Sequence, residues 1–251
     1  MKSPLVTVVV AVLNRVETIE RCIQSVVSQD SKHIDLVLID GVSTDGTLEV
    51  IEKYLHKISY FVSEKDQGIY SALNKGVAAA KGEWILIIGS DDYLADLSVI
   101  SRVEPMLAAA KEANARIAYG NASMFDPSDP TRMLITRGEP WEKAKKKMSG
   151  SLEIPHPGAF QNRIVFENGG FDESYKVAAD YKLLLSECTK AAPYYLDTLI
   201  ACASLGGVSS NPKNAMAITK EMIRARWEVG LWPLTHQLFL NLVKLTAKSF
   251  F

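Results

Sequence analysis

The sequence has 251 residues, of which 47% are hydrophobic and 23% are charged, and its net charge is -1. This length suits one large α/β domain with or without an appendage, and the near-zero charge gives no general attraction to nucleic acid. Cys22, Cys188 and Cys202 are far apart and form no C-x-x-C pair, which disfavours a disulfide framework or a zinc site. No signal peptide is recognisable, so a reducing cytoplasm is the expected location.

The first third of the chain alternates between apolar runs typical of strands and amphipathic segments typical of helices. Strands are predicted at 5–13, 34–39, 58–62 and 84–88, with helices between them at 17–27, 47–55 and 69–80. This repeated β-α-β order calls for a mostly parallel sheet with right-handed crossovers and helices on both faces. The sequence therefore predicts an α/β fold of Rossmann-like layout.

After residue 92 the pattern changes. A helix at 98–113 precedes predicted strands at 117–125 and 133–136, and the Pro- and Asp-rich turn between these strands indicates a small antiparallel addition. The basic segment 141–151 shows no clear pattern of burial, and it fits either a solvated helical turn or a mobile lid that reaches for phosphate. A further helix is expected to run through Leu183, Leu184 and Leu185.

The last forty residues differ in character from the rest, because basic residues outnumber acidic ones and leucines recur at helical spacing. The leucines are Leu231, Leu234, Leu238, Leu242 and Leu245. We expect a main domain over 1–210, with halves 1–92 and 93–210, and a helical extension over 211–251. Charged residues interrupt the extension too often for a transmembrane span. It fits either an amphipathic helix in a membrane interface or a helix packed on the main domain or on a second subunit.

Polar side chains accumulate where the predicted strands end. Asn14, Asp40 and Asp66 each lie at such an end, and ligands of open α/β sheets bind beyond the carboxyl ends of the strands. Asp91 and Asp92 follow the fourth strand directly. Two adjacent carboxylates repel each other, and a hard divalent cation stabilises such a pair. The alternative is that one of the two caps the helix that follows, since aspartate is a favoured N-cap.

Three segments carry a resemblance to a known family. They are Asp40-Gly-Val-Ser-Thr-Asp-Gly-Thr47, the stretch from Glu64 to Gly76 that contains Gly-Ile-Tyr-Ser-Ala-Leu-Asn-Lys-Gly, and Gly89-Ser-Asp-Asp92, in that order at strand ends. Together they resemble the family 2 glycosyltransferases of GT-A fold, which are inverting nucleotide-sugar enzymes, and the resemblance covers about residues 5 to 205.

The resemblance implies a set of nucleotide and metal contacts. Asp40 would bind the base, the segment from Asp66 to Lys75 would line the nucleotide pocket, and Asp91 would face the ribose or the sugar. Asp92 would ligate Mn²⁺ or Mg²⁺. There is no P-loop signature, so the phosphates would be held by the metal and by scattered donors. The expected donor-side residues are Asn14, Asp40, Asp66, Asn74, Lys75 and Asp91.

Inverting transfer also needs a base that takes the proton from the attacking hydroxyl. In the family this base is an aspartate that follows a Gly-Gly-Phe-Asp-Glu segment, which matches 169–173 here, and the resemblance assigns it to Asp180. Asp180 fits an N-cap as well, and the two roles can coexist. His156 stands where many relatives carry a histidine beside the acceptor site, and the alternative is a structural histidine.

The resemblance implies a cytoplasmic, metal-dependent enzyme that moves one sugar from a UDP-sugar to a hydroxyl of a glycan. A lipid-linked intermediate of bacterial surface polysaccharide synthesis, at the inner face of the membrane, would explain a basic amphipathic C-terminus, and a homodimer is compatible with the sequence. Transfer of single residues is expected, because Ile223 stands where processive relatives carry Gln before Arg-Trp. The alternatives are a metal-dependent nucleotidyltransferase and a non-catalytic glycan-binding relative.

Overall fold

The computed structural model describes residues 4–148, 152–205, 214–236 and 238–240. This part of the chain contains one mixed sheet, flanked by helices. The strands are β1 (Val6–Val12), β2 (Ile34–Asp40), β3 (Tyr60–Ser63), β4 (Trp84–Ile87), β5 (Tyr93–Leu94), β6 (Ile117–Asp126), β7 (Asp129–Arg137), β8 (Ala159–Asn162) and β9 (Tyr194–Ser204). The α-helices are α1 (Ile19–Val27), α2 (Thr47–Glu52), α3 (Ile69–Ala79), α4 (Val99–Glu112), α5 (Trp141–Lys147), α6 (Ala179–Lys190) and α7 (Ala215–Glu228).

The first four strands form the parallel half of the sheet. β1 lies between β2 and β4, and β3 pairs with β2 at the edge, all in parallel. All seven residues of β1 except Ala11 are buried, as expected for strands that are covered on both faces. The predicted α/β fold with a mostly parallel sheet is therefore confirmed, and the strand ends differ from the prediction by two residues at most.

The second half of the sheet is built from strands that are distant in sequence. The order across the sheet is β3-β2-β1-β4-β8-β6-β9-β5, and β7 pairs with β6 outside this path. β8 is antiparallel to both β4 and β6, and β9 is parallel to β6. The strands β5, β8 and β9 were not predicted. β8 has only four residues, and its pairing with strands far away in the chain leaves no local signal.

Helices cover both faces of the sheet, as predicted. One apolar cluster joins the side chains of Val6, Val8 and Val10 to α1 and α4, and a second cluster joins Val9 and Ile39 to α3 and α7. A third cluster packs β6 against α5 and α6. The alternation along β1 sends successive side chains to opposite faces, so each face has its own core.

The predicted hairpin is confirmed, and it is longer than expected because β7 runs from Asp129 to Arg137. All nine residues of β7 are exposed. The basic segment that follows forms α5, whose Trp141 and Ala144 are buried. The prediction that this segment has no clear pattern of burial is therefore wrong, although its lysines are exposed. Residues 149–151 of the segment lie outside the described residues.

The described part of the C-terminal segment is helical in α7 and again at residues 236 and 238–240, where Leu238 is buried, but the leucine set does not lie on one continuous helix. α7 spans Ala215–Glu228, whereas Leu231 and Leu234 lie in a non-helical connection that contains Gly230, with φ +76°, and Pro233. Gly and Pro interrupt a helix, so a leucine repeat across them does not make one continuous helix. Leu242 and Leu245 lie outside the described residues, and the domain boundary at 210 stays a prediction.

α7 packs against the main body of the protein. Its Ala225 belongs to the same apolar cluster as Val9 and Leu73, and Arg226 is buried and donates to the carbonyl oxygens of Met148 and Trp232. No helix among the described residues is long and apolar enough to cross a bilayer.

Candidate active site

Asp40, the last residue of β2, lies beneath the surface with no exposed area. Its carboxylate accepts hydrogen bonds from the backbone N–H groups of Val42 and Ser43, at 2.9 and 3.0 Å, and from the hydroxyl groups of Ser43 and Ser63. These four donors hold the loop after β2 against the end of β3. A contact of Asp40 with a nucleotide base stays a prediction.

Asn14 joins the loop after β1 to the loop after β2. Its backbone N–H donates to Ser43 Oγ at 2.8 Å, and its side-chain Oδ1 accepts from the backbone N–H of Thr44 at 2.9 Å. Asn14 has φ +53° and Val42 has φ +66°. For a β-branched residue such as Val42 this conformation is strained, and strain of this kind concentrates at functional sites. The two loops therefore form one braced surface at the carboxyl edge of the sheet.

Asp66 and Lys75 form an ion pair at the end of β3. Lys75 Nζ lies 2.7 Å from Asp66 Oδ1 and 2.5 Å from Glu64 Oε1, and the Asp66 side chain is 9% exposed. The hydrogen bond to Asp66, and to a smaller extent the one to Glu64, raises the pKa of Lys75. The structure thus brings these two predicted donor-side residues into contact.

Asn74 lies on α3, and its side chain is hydrogen-bonded to the loop at 169–173. Its amide Nδ2 donates to the carbonyl oxygen of Phe171 and to Glu173 Oε1, both at 2.9 Å, and its Oδ1 accepts from the Phe171 N–H at 2.7 Å. A Cβ at Gly170 would lie 2.1 Å from Asn74 Oδ1, so this glycine admits the amide. Asn74 therefore clasps α3 to the loop at 169–173, and a contact with the nucleotide stays a prediction.

Asp91 and Asp92 converge on one side of Gly89. A Cβ at Gly89 would lie 2.9 Å from Asp91 Oδ1 and 3.0 Å from Asp92 Oδ2. Asp92 is buried, and its two oxygens accept from the backbone N–H groups of Gly89, at 2.8 Å, and Ser204, at 3.0 Å. Burial, followed by the charge of Asp91, raises the pKa of Asp92 to about 6.

The alternative that one of these carboxylates caps the next helix is wrong. The strand β5 follows them at Tyr93, and α4 begins only at Val99 with Ser98 as its N-cap. The pair instead fits a divalent cation, because two hard oxygen donors whose charges repel face the same space. Within the described ranges no group of three or more His, Cys, Asp or Glu side chains gathers into a metal site.

Asp180 lies in the first turn of α6 and is not its N-cap, which is Ala178. Its Oδ1 accepts a hydrogen bond from the Tyr70 hydroxyl at 3.0 Å. Burial lowers the pKa of His156, and the charge of Asp180 opposes this shift, so the two side chains are close enough to interact. The Nε2 of His156 is buried without a hydrogen-bond partner among the described residues.

Phe171 lies at the centre of this second group. Its ring centroid is 5.6 Å from that of Tyr70 and 6.4 Å from that of His156. The structure therefore places the predicted acceptor-side histidine and Tyr70, the hydrogen-bond partner of the predicted base, around one buried ring. A neutral, unpaired imidazole nitrogen beside a carboxylate can bind a hydroxyl group.

Sequence reasoning missed two groups that hold the site. Tyr70 lies four residues before Asn74 on α3, and this spacing, which puts both on one helix face, was the available signal. Glu221 of α7 accepts from the backbone N–H groups of Lys176, Val177 and Ala178, which lead into α6. No local pattern links residue 221 to residue 176, so that contact had no signal.

Strand-end carboxylates on a mostly parallel α/β sheet, with a further aspartate at a helix start, fit the GT-A class of glycosyltransferases. The family model for glycosyl transferase family 2 matches residues 7–171. The chain therefore belongs to glycosyl transferase family 2. Asp180 and Glu221 lie beyond the matched residues.

Individual relatives agree with this assignment. The chain is 27% identical over 192 residues to a PGL/p-HBAD biosynthesis glycosyltransferase of Mycobacterium bovis. The aligned stretch covers 72% of this chain and 68% of the relative. It is 30% identical over 187 residues to a hyaluronan synthase of Pasteurella multocida, covering 73% of this chain and 19% of the synthase. The protein is a glycosyltransferase.

Solved structures show the same fold. S. aureus TarS (1–349) in complex with UDP-GlcNAc superposes with a TM-score of 0.64 at 19% identity, over 89% of this chain and 66% of that one. The mannosyltransferase PcManGT of Pyrobaculum calidifontis, in complex with GDP-Man and Mn²⁺, superposes with a TM-score of 0.61 at 18% identity, over 95% of this chain and 69% of that one. This chain spans 39% of a longer TarS structure.

Proposed function

We propose that the protein transfers a single sugar, with inversion, from a UDP-sugar to a hydroxyl group of a glycan acceptor. The observation that carries the proposal is the pair of converging carboxylates, Asp91 and Asp92, at the carboxyl end of β4. Membership of glycosyl transferase family 2 favours a glycosyltransferase over a nucleotidyltransferase and over a non-catalytic glycan-binding protein.

On the donor side, Asp92 would ligate a divalent cation and Asp91 would face the ribose or the sugar. A bound Mn²⁺ or Mg²⁺ stabilises the charge that develops on a nucleoside diphosphate leaving group. The braced loops around Asn14 and Asp40, with the ion pair of Asp66 and Lys75, would line the nucleotide pocket. Two structural neighbours, TarS in complex with UDP-GlcNAc and PcManGT in complex with GDP-Man and Mn²⁺, support a nucleotide-sugar donor.

On the acceptor side, Asp180 would take the proton of the attacking hydroxyl as the oxygen forms its bond to the anomeric carbon. A single base and no protein nucleophile give displacement from the opposite face, which inverts the configuration. His156, which interacts with this carboxylate, would lie on the acceptor side.

The acceptor we propose is a lipid-linked glycan of surface polysaccharide synthesis, met at the cytoplasmic face of the membrane. Trp227 and Trp232 support membrane contact, because they are 72% and 77% exposed and Arg226 ties Trp232 to the end of α5 with its exposed lysines. Tryptophan and basic side chains together favour anionic lipid interfaces. Cosedimentation with anionic but not with neutral vesicles, lost in Trp227→Ser/Trp232→Ser, checks this contact, and sedimentation velocity checks for a homodimer.

The transfer reaction is tested by screening nucleotide-sugars for thermal stabilisation in the presence of Mn²⁺ and then assaying the best donor. We expect UDP-sugars to raise Tm more than GDP-sugars or nucleoside triphosphates. Asp92→Asn should abolish the Mn²⁺-dependent shift, and Asp180→Asn should keep the shift but lose turnover. The control is Asp129→Asn on the exposed hairpin. Full turnover in both site variants would refute the mechanism.

A further inference from the structure

We propose that Tyr70 is a positioning residue, whose hydroxyl group holds the Asp180 carboxylate in the orientation that proton transfer needs. The inference rests on the proposed function, since it takes Asp180 as the base. Tyr70 does not touch the reacting atoms in this proposal; it acts through Asp180.

The geometry fixes one oxygen of the carboxylate and leaves the other for the acceptor. The Tyr70 hydroxyl donates to Asp180 Oδ1 at 3.0 Å. An aspartate side chain that accepts one directional hydrogen bond loses rotational freedom, so its second oxygen keeps a defined position. Burial, followed by the negative charge of Asp180, raises the pKa of Tyr70 far above its usual value, so the hydroxyl remains a donor throughout the range in which enzymes work.

Tyr70 itself is rigidly held. Its side chain is 6% exposed and packs in the apolar cluster that contains Phe171, Tyr175 and Ala179. One helical turn further on, Asn74 makes three hydrogen bonds to the loop at 169–173, which tie the α3 helix to that loop. A hydroxyl on such a helix can fix a partner more precisely than one on a mobile loop.

The same helix reaches the donor side. Lys75, the residue after Asn74, makes the ion pair with Asp66 and Glu64 at the end of β3. α3 therefore contacts the proposed base near its start and the donor-side loop near its middle. This arrangement sets the position of Asp180 relative to the donor pocket, which is the relation that an in-line displacement depends on.

Among the described contacts, Tyr70 is the side chain that donates a hydrogen bond to Asp180, and the other charged or titratable groups nearby have other partners. The negative charge of Asp180 acts on His156, whose burial favours the neutral imidazole. Lys182, which follows on α6, is paired with Asp172 and Glu228. Arg226 on the packed helix α7 donates to Met148, Trp232 and the hydroxyl of Tyr181.

The test compares Tyr70→Phe with Tyr175→Phe. The control tyrosine is 2% exposed, belongs to the same apolar cluster, and donates to the carboxylate of Glu228 at 3.1 Å. Both substitutions keep the ring and remove one hydroxyl-to-carboxylate hydrogen bond. We expect Tyr70→Phe to lower kcat by up to about 100-fold with the donor KM within about twofold, and Tyr175→Phe to leave kcat within about twofold at a similar loss of Tm.

A double-mutant cycle separates this proposal from the proposed function. In the Asp180→Asn background, Tyr70→Phe should lower the residual rate no further, because the group it positions is already gone. Equal losses of kcat in the two Phe variants, or full additivity in the cycle, would show a structural role and overturn the positioning proposal. Full activity of Asp180→Asn alone would overturn the assignment of the base, and the positioning role with it.

Discussion

At the scale of single residues, the site contains groups that the fold holds at a cost in stability. Asp92 is buried beside a second carboxylate, and its raised pKa records both penalties. Val42 has a positive φ that a β-branched residue rarely adopts. Such features are expected where function requires them and the surrounding structure compensates for them.

Replacing Asp91 with Asn should therefore stabilise the protein when no metal is present. The charge of Asp91 helps to raise the pKa of Asp92, so removing it should increase the free energy of unfolding by on the order of 1 kcal/mol at about pH 7.5. A raised folded-state pKa costs stability as pH rises through about 6, so the gain should disappear near pH 4, where Asp92 is protonated. Urea unfolding in EDTA at about pH 7.5 and near pH 4 measures the free energy of unfolding under the two conditions, with Asp129→Asn as control. A loss of stability of Asp91→Asn at about pH 7.5 would contradict the expectation.

Gly170→Ala tests the clasp between α3 and the loop at 169–173. The new Cβ would lie 2.1 Å from Asn74 Oδ1 and would displace the amide from the Phe171 N–H, at a cost of about 1 to 2 kcal/mol. In the Asn74→Ala background the same change should be nearly neutral. Gly169→Ala is the control, because nothing lies within 4 Å of its Cβ and only the positive φ is strained. Equal effects of Gly170→Ala in both backgrounds would argue against the clasp.

At the scale of elements, the start of α6 depends on a helix from the end of the chain. Glu221 on α7 accepts from three successive backbone N–H groups, those of Lys176, Val177 and Ala178. These residues lead directly to Asp180, so α7 stabilises the segment that carries the proposed base. Hydrogen bonds to a charged acceptor are stronger than neutral ones.

Glu221→Ala should free that segment. We expect a loss of about 2 kcal/mol in the free energy of unfolding, together with faster amide exchange at residues 176–178. Hydrogen exchange with mass spectrometry reads the second effect directly, and Lys220→Ala, at the exposed neighbouring position, is the control. Unchanged exchange at 176–178 would mean that the hydrogen bonds to Glu221 contribute nothing to local order.

The elements also show which parts of the fold the sequence could predict. β1, β2 and β4 were placed to within a residue or so at each end, because strands covered on both faces read as unbroken apolar runs. β8 and β9 could not be placed, since their partners lie far away in the chain. The convergence of Asp91 and Asp92 followed from their position after a buried strand, whereas the role of Asn74 depends on a loop a hundred residues later.

At the scale of the whole molecule, the three cysteines report on how tightly the fold is packed. Cys22, Cys188 and Cys202 are all buried as free thiols. Burial, with the charges of Asp92 and Asp91, raises the pKa of Cys22, and burial raises the pKa of Cys188 to about 12. A thiol reagent acts on the thiolate, so all three should be unreactive in the native protein.

Reaction with a chromogenic disulfide at about pH 8 checks this expectation. The native protein should show no fast phase, and three thiols should react once urea passes the unfolding midpoint. Cys202→Ser, which changes one buried position, should lower the denatured count to two. A fast native thiol would mean that the structure around that cysteine opens locally in the native protein.

The hydrogen bond from Ser204 to Asp92 has a consequence for how the protein is made. Ser204 is the last residue of β9, whereas Asp92 leaves the ribosome more than a hundred residues before it. The parallel half, β1 to β4, can pair early, yet one oxygen of the metal-binding candidate obtains its backbone donor only when β9 has docked. Until β9 docks, Asp92 therefore lacks the backbone donor from Ser204 that it has in the folded protein.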